Sequence, residues 1–169
     1  MFIDTVISVL STTLPRWESL TSSLPEELLW RRPAEGEWSA MECLQHLVDT
    51  ERHVFPKRVV AFLQGQGFAA FNPDTMGSVG VTHPRPVDLA AEFAEMRIAT
   101  LELLGTLQEG DLSRRVTHKE LGPVTLEEML NEWAAHELMH MVQAERALMQ
   151  PFIHACGPWE VYFKEHVVE

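Results

Sequence analysis

His136-Glu137-Leu138-Met139-His140 is the stretch on which the reading of the whole chain turns. It lies inside residues 127–149, which read as one amphipathic helix with Trp133 and Met141 on its inner face. Its two histidines are four residues apart. On a helix that spacing puts them on one face, a turn apart, with Cβ atoms roughly 5–6 Å from each other. Two imidazoles so placed can grip one metal ion, and neutral imidazole is the commonest side-chain ligand for divalent transition metals. A useful site needs a third ligand. The best candidate is His46, in Glu42-Cys43-Leu44-Gln45-His46-Leu47-Val48-Asp49. His46 falls in the first half of its helix, and His136 and His140 in the second half of theirs. If the two helices run antiparallel, the three rings come level. The expectation is a helical bundle with a metal held by His46, His136 and His140 and at least one coordination position left open.

His53 is the rival third ligand, because it shares a face with His46. Seven residues of helix span roughly 10 Å, however, and Zn–N bonds are only about 2.0–2.1 Å. One ion cannot bind both, so His53 either lines the same cavity or is solvated. Glu42 and Gln143 are candidates for orienting the ligand imidazoles from behind. Cys43, one turn from His46, reads as a buried, unreactive thiol.

The same five residues satisfy H-E-x-x-H, the pattern in which a glutamate serves a zinc protease as general base. The motif is short, and little chain follows it to build a peptide cleft. Glu137 is therefore read as a solvated surface acid.

The bulk properties narrow the class. The 169 residues suit one domain, 1–169, with a substantial core. Lys plus Arg number 13 and Asp plus Glu 25, a formal charge of −12 that repels phosphate backbones and argues against nucleic acid as a partner. No run approaches the roughly 20 apolar residues that span a bilayer, so no membrane partner is expected. The start, Met1-Phe2-Ile3-Asp4, lacks a basic n-region, and the two cysteines, Cys43 and Cys156, allow only one pair. Reduced thiols in a cytoplasmic protein are expected.

Taken in order, residues 2–20 have a helical apolar face, with Pro15 either dividing or kinking the helix. Residues 24–29 form a short helix. Ser39 with Glu42 makes a capping box for a helix over 40–63, bent at Pro56. Residues 64–86 are irregular, an ordered loop near a functional rim. A helix over 87–107 buries Phe93, Met96, Leu101 and Leu104. A small hairpin is possible between 112 and 124. Thr125, with Glu128 three residues on, caps the helix of the two histidines, which Gln150-Pro151 ends. Residues 152–169 form a covering tail with Trp159, Val161, Tyr162 and Phe163 supplying apolar contacts. Four substantial helices, long connections and little strand predict an all-α bundle.

Four segments together resemble the DinB-like superfamily: Glu37-Trp38-Ser39, His46-Leu47-Val48-Asp49-Thr50-Glu51-Arg52, Leu121-Gly122-Pro123-Val124-Thr125-Leu126 and His136-Glu137-Leu138-Met139-His140-Met141-Val142-Gln143. The resemblance covers residues 14–151. It implies an up-down-down-up four-helix bundle, commonly a homodimer, with a divalent metal such as zinc or nickel on His46, His136 and His140. It also implies a small-molecule substrate. Some members use a low-molecular-weight thiol, which makes a metal-dependent thiol S-transferase acting on a small electrophile the leading expectation. A metal-dependent hydrolase, or a non-catalytic metal-stabilised binding or assembly protein, are the alternatives.

Overall fold

In the computed structural model, which describes residues 2–168, two capping boxes start the two helices that carry the histidines. Ser39 accepts from the Glu42 N–H while the Glu42 carboxylate accepts from the Ser39 N–H, opening α3 (Ala40–His53). Thr125 and Glu128 do the same for the last long helix, Leu126–Ala155. Each box satisfies two backbone donors that a helix start leaves free.

Around these, α1 is Phe2–Ser23, α2 Glu26–Leu29, α4 Phe55–Gln64, α5 Pro73–Met76, α6 Pro86–Gly105 and α7 Leu126–Ala155. A two-stranded antiparallel hairpin, β1 (Arg115–His118) and β2 (Gly122–Thr125), lies between α6 and α7. Short 3₁₀ turns occupy Glu109–Ser113 and Gly157–His166.

Two buried clusters fix the direction of every long helix. One gathers Ile3, Val6 and Leu10 of α1, Phe55 and Phe62 of α4, Leu104 of α6, and Leu126, Leu130 and Trp133 of α7. The other gathers Trp17 of α1, Met41, Leu44 and Leu47 of α3, Leu89 and Phe93 of α6, and Met141, Ala144 and Leu148 of α7. Hence α1 and α7 run from the first cluster to the second, while α3–α4 and α6 run back. This is a four-helix bundle, up-down-down-up. Around its perimeter α1 packs on α6 and α7, and α3 packs on the same two.

That topology dictates one crossover connection. The bundle helices α4 and α6 run the same way, so residues 65–85, which include the single turn of α5, must return along the length of the bundle. The return is tied at both ends. Phe68 donates to Thr117 O and accepts from Lys119 N–H at the hairpin edge. Gly67 allows the approach, since a Cβ there would stand 2.6 Å from Thr117 O. Further on, the Asp49 carboxylate accepts from Ser78 N–H and its hydroxyl, and Gln45 donates to Thr82 O. The ordered loop expected near a functional rim is therefore a crossover strapped to α3. Under it α3 is buried from Ala40 to Glu51 without interruption, the mark of a helix covered on every side.

Several expectations need correction. The helix over 40–63 breaks at Val54, where the backbone leaves helical values ahead of Pro56, giving α3 and α4. Pro15 lies inside a continuous α1. Likewise α7 runs through Pro151 to Ala155, with the Gln150 side-chain amide taking the Arg146 carbonyl in the preceding turn. The buried stripe of α6 is Phe93, Arg97, Thr100 and Leu104, so Met96 and Leu101 flank it rather than forming it. The C-terminal tail covers less than expected, because Trp159, Val161 and Tyr162 are exposed. It is held through backbone instead: Arg146 donates to Val167 O, and Val168 N–H donates to Gln150 Oε1.

Candidate metal centre

His46 projects from α3, His136 and His140 from successive turns of α7, and the antiparallel packing of those helices brings the three rings together. Ring centroids are 5.1 Å apart for His46–His136, 4.6 Å for His46–His140 and 4.5 Å for His136–His140. His46 Nε2 and His136 Nε2 are 3.0 Å from each other. Nitrogens that each sit about 2.0–2.1 Å from one tetrahedral ion lie roughly 3.3 Å apart. A ligand nitrogen from each residue falls within 4.8 Å of the others. Three imidazoles converging on one point fit a shared cation, and no other such group of three His, Cys, Asp or Glu ligands occurs among the described residues.

Electrostatics keep these rings in the ligating form. Burial, with His140 nearby, pulls the His46 pKa down to about 4. Burial, helped by His140, His46 and Arg58, pulls His136 down to about 3. Burial lowers His140 as well, against the opposing pull of Gln143 and Glu137. All three are neutral at pH 7, with lone pairs that no proton competes for. His140 Nδ1 donates to Gln143 Oε1 at 2.9 Å, which fixes its tautomer and leaves Nε2 free to face the cluster. The Nδ1 atoms of His46 and His136 are buried without a protein partner.

Aromatic walls hold the rings in place. The Trp38 indole stacks along His140 at 5.8 Å and lies 5.1 Å from His46. Phe55 stacks on Trp133 at 4.7 Å and meets His136 edge-on at 5.2 Å. On the open side is a cavity of about 340 Å³ bounded by the crossover residues Phe71 and Pro73, with Arg58 and Glu132 at its rim. That size suits a small molecule.

The remaining sequence candidates separate. Gln143 does orient a histidine. Glu42 does not: its carboxylate is committed to the Ser39 N–H of the capping box and to Arg32, away from the imidazoles. Burial opposes its ionisation, but Arg32 and Ser39 outweigh that and hold its carboxyl below the ordinary range. His53 is exposed and lines a neighbouring cavity rather than that of the three histidines. Cys43 is buried, and burial with Glu42 close by pushes its thiol up to about 12, so it is inert.

Glu137 overturns its reading as a solvated acid. It is 1% exposed and pairs with Arg97, Oε2 to Nη2 at 2.9 Å and Oε1 to Nη1 at 3.3 Å. Arg97 also grips Glu51 with two hydrogen bonds of 3.0 Å and donates to Leu10 O. This buried ionic layer lies between the two apolar clusters and touches α1, α3, α6 and α7. It takes Glu137 out of the base role that the H-E-x-x-H pattern offers. Sequence reading also missed Arg97 itself. The signal was a lone arginine on the apolar stripe of α6, four residues after Phe93.

Fold and cluster together define a class: a mostly helical bundle whose facing helices build a largely buried three-histidine centre beside a small cavity. The chain belongs to the DinB superfamily, whose sequence model matches residues 10–144. Among solved structures it is similar to YfiT from Bacillus subtilis, described as a probable metal-dependent hydrolase with an unusual four-helix bundle topology. The two share 20% identity and a TM-score of 0.70, over 89% of this chain and 87% of that one. No curated protein matches the sequence. No helix among the described residues is long and apolar enough to cross a membrane.

Proposed function

We propose that His46, His136 and His140 hold one divalent transition metal, zinc or nickel, and that the protein is a metal-dependent enzyme acting on a small molecule. The observation that carries this reading is the convergence of three neutral imidazoles, two buried and one half-buried, on one point at the edge of a cavity. A divalent ion in such a place supplies a Lewis-acid position at which a thiol or a water loses its proton near neutral pH. The chain's own groups do the rest. Gln143 presents His140 in one tautomer. Trp38, Phe55 and Phe71 wall the cavity against bulk water. Glu132 is the only acid among the described cavity-lining residues, and it takes the proton that the nucleophile gives up.

Two nucleophiles suit this chemistry. A low-molecular-weight thiol, attacking a small electrophile in a transferase reaction, follows from the resemblance to thiol-dependent family members. Water, in a hydrolase, is favoured by the description of the similar Bacillus subtilis structure.

Elemental analysis of protein purified without a metal-affinity tag tests the site first. One metal per chain is expected in the wild type, and a loss of most of it in His46→Ala and in His140→Ala. Metal content that is absent, or unchanged in both variants, sinks the proposal. Loaded protein is then given a thiol with a chloronitrobenzene electrophile, and separately a panel of ester and amide substrates. Turnover in the first assay alone supports thiol transfer, and turnover in the second alone supports hydrolysis.

A further inference from the structure

Beside the histidine cavity lies a second one of about 520 Å³, and the two share Val54, Arg58 and Phe71. Among the described residues its titratable lining is His53, Lys57 and Arg58, with no acid, in a chain that has 25 acids against 13 lysines and arginines. The rest of the lining is apolar, including Phe68 and Met76. A described lining that is basic and apolar, on so acidic a protein, is a local inversion of charge.

Arg58 is the centre of it. Its side chain is only 13% exposed, and its guanidinium carbon stands 4.9 Å over the Phe68 ring and 5.7 Å from that of Phe55. Among the described residues its one charged partner is Glu132, reached by a single nitrogen at 3.5 Å, the outer limit of a hydrogen bond. Burial lowers the Arg58 pKa more than Glu132 restores it, so the charge is under-compensated, although it remains a cation at neutral pH. The guanidinium carbon lies over both rings, and among the described residues only Nη1 has a hydrogen-bond partner, which leaves the donors along the rest of its edge unmatched. That edge suits a planar acceptor with two oxygens, and the fork of an arginine matches a carboxylate in this way.

We propose that Arg58, assisted by Lys57, forms an anion subsite that holds the carboxylate of an otherwise apolar small molecule. The rest of that molecule extends past Phe71 toward the three histidines. The substrate class is thus a carboxylate-bearing, partly apolar compound. The inference rests on the functional reading above only for the direction in which the reactive end points. Lys57 is exposed, so its share is a screened attraction; Arg58, enclosed by aromatic rings, supplies the directional contact.

The test is calorimetric titration of phenylacetate and of its neutral analogue, phenylacetamide, into metal-loaded and metal-stripped protein, with folding of each variant checked by circular dichroism. Phenylacetate is expected to bind saturably to both forms and phenylacetamide to neither. Arg58→Gln should weaken phenylacetate by roughly tenfold or more. Arg58→Lys, which keeps the charge and loses the fork, should fall between. Glu132→Gln, which removes the competing carboxylate, should tighten it. Equal binding of acid and amide, or binding that ignores Arg58→Gln, overturns the subsite. Phenylacetate binding that vanishes with the metal and is indifferent to Arg58 means that the carboxylate seeks the ion: the subsite is then wrong while the metal reading stands. Arg58-dependent binding that persists without metal, in a protein that proves to take up none, preserves the subsite and discards only the metal.

Discussion

Replacing Arg97 with methionine is expected to make the protein more stable in weak acid than at neutral pH, relative to the wild type. The side chain is 0% exposed and makes two contacts with each of Glu51 and Glu137. Without it, two buried carboxylates face each other with no cation between them. They respond by taking up protons rather than remaining charged in a low dielectric. Holding a carboxyl neutral at pH 7, against an ordinary value of about 4.3, costs about 3.7 kcal/mol at 1.36 kcal/mol per unit. If one proton is shared the total is near that figure; if both must protonate it doubles, to about 7 kcal/mol. Mutational experience with broken buried pairs, about 3–5 kcal/mol, overlaps the lower part of that range. Against a typical total stability of about 5–15 kcal/mol this is a severe loss. The sign with pH follows. Folded-state carboxyl values raised above the unfolded ones give stability that is present in acid and lost as pH rises. The variant's deficit should therefore shrink between pH 7 and about pH 5. Urea unfolding at several pH values, with wild type alongside, measures it. The triple variant Arg97→Met, Glu51→Leu, Glu137→Leu removes all three charges and should return to within about 1 kcal/mol of wild type or exceed it. A single variant that loses less than about 1 kcal/mol at pH 7, or whose deficit grows on acidification, refutes the account of a dry ionic layer.

Three further outcomes are expected. Gln143→Leu leaves the His140 Nδ1 donor without its acceptor and should weaken metal binding by about 10–100-fold, read by competition with a chelator. In metal-free protein the folded pKa values of His46 and His136 lie at about 4 and about 3, below the unfolded value of about 6.5, so stability should fall as pH drops through that window. Metal-free His46→Leu should show a shallower fall in urea titrations, and an equally steep one would count against buried neutral rings. Asp49→Ala removes the acceptor of both Ser78 bonds, and hydrogen exchange should rise in residues 72–82 by more than in α7, at a cost of about 1–3 kcal/mol.

Much of the fold was readable because its signals are local. Two capping boxes, a Gly-Pro turn and helical periodicity are set by residues three or four apart, and they place α3, the hairpin and the start of α7. The boundaries that misled were those at prolines. Pro15 and Pro151 stay inside helices whose flanking residues, Leu10 and Trp17 in α1 and Leu148 and Ile153 in α7, are buried in the bundle, and that packing is not visible in a window of sequence. At Val54 the chain does break, one residue before Phe55, whose ring is needed against His136 and Trp133.

The site divides along the same line. His136 and His140 announce themselves by spacing, and His46 by its place in an antiparallel partner. The groups that set their chemistry are long-range and carry no motif. Arg97 is 46 residues from Glu51 and 40 from Glu137, and only the bundle joins them. Glu137 was misread for a physical reason: one residue after His136 on a helix, it faces about 100° away, toward α6 instead of the cavity. The same turn of α7 thus serves two purposes. One side presents imidazoles to a small-molecule cavity, while the adjacent side anchors the helix, through Arg97, to α1, α3 and the diagonally placed α6. The rotation of α7 that aims His136 and His140 at His46 is set by that anchor. Loosening the ionic layer should consequently be felt at the histidines before the bundle comes apart.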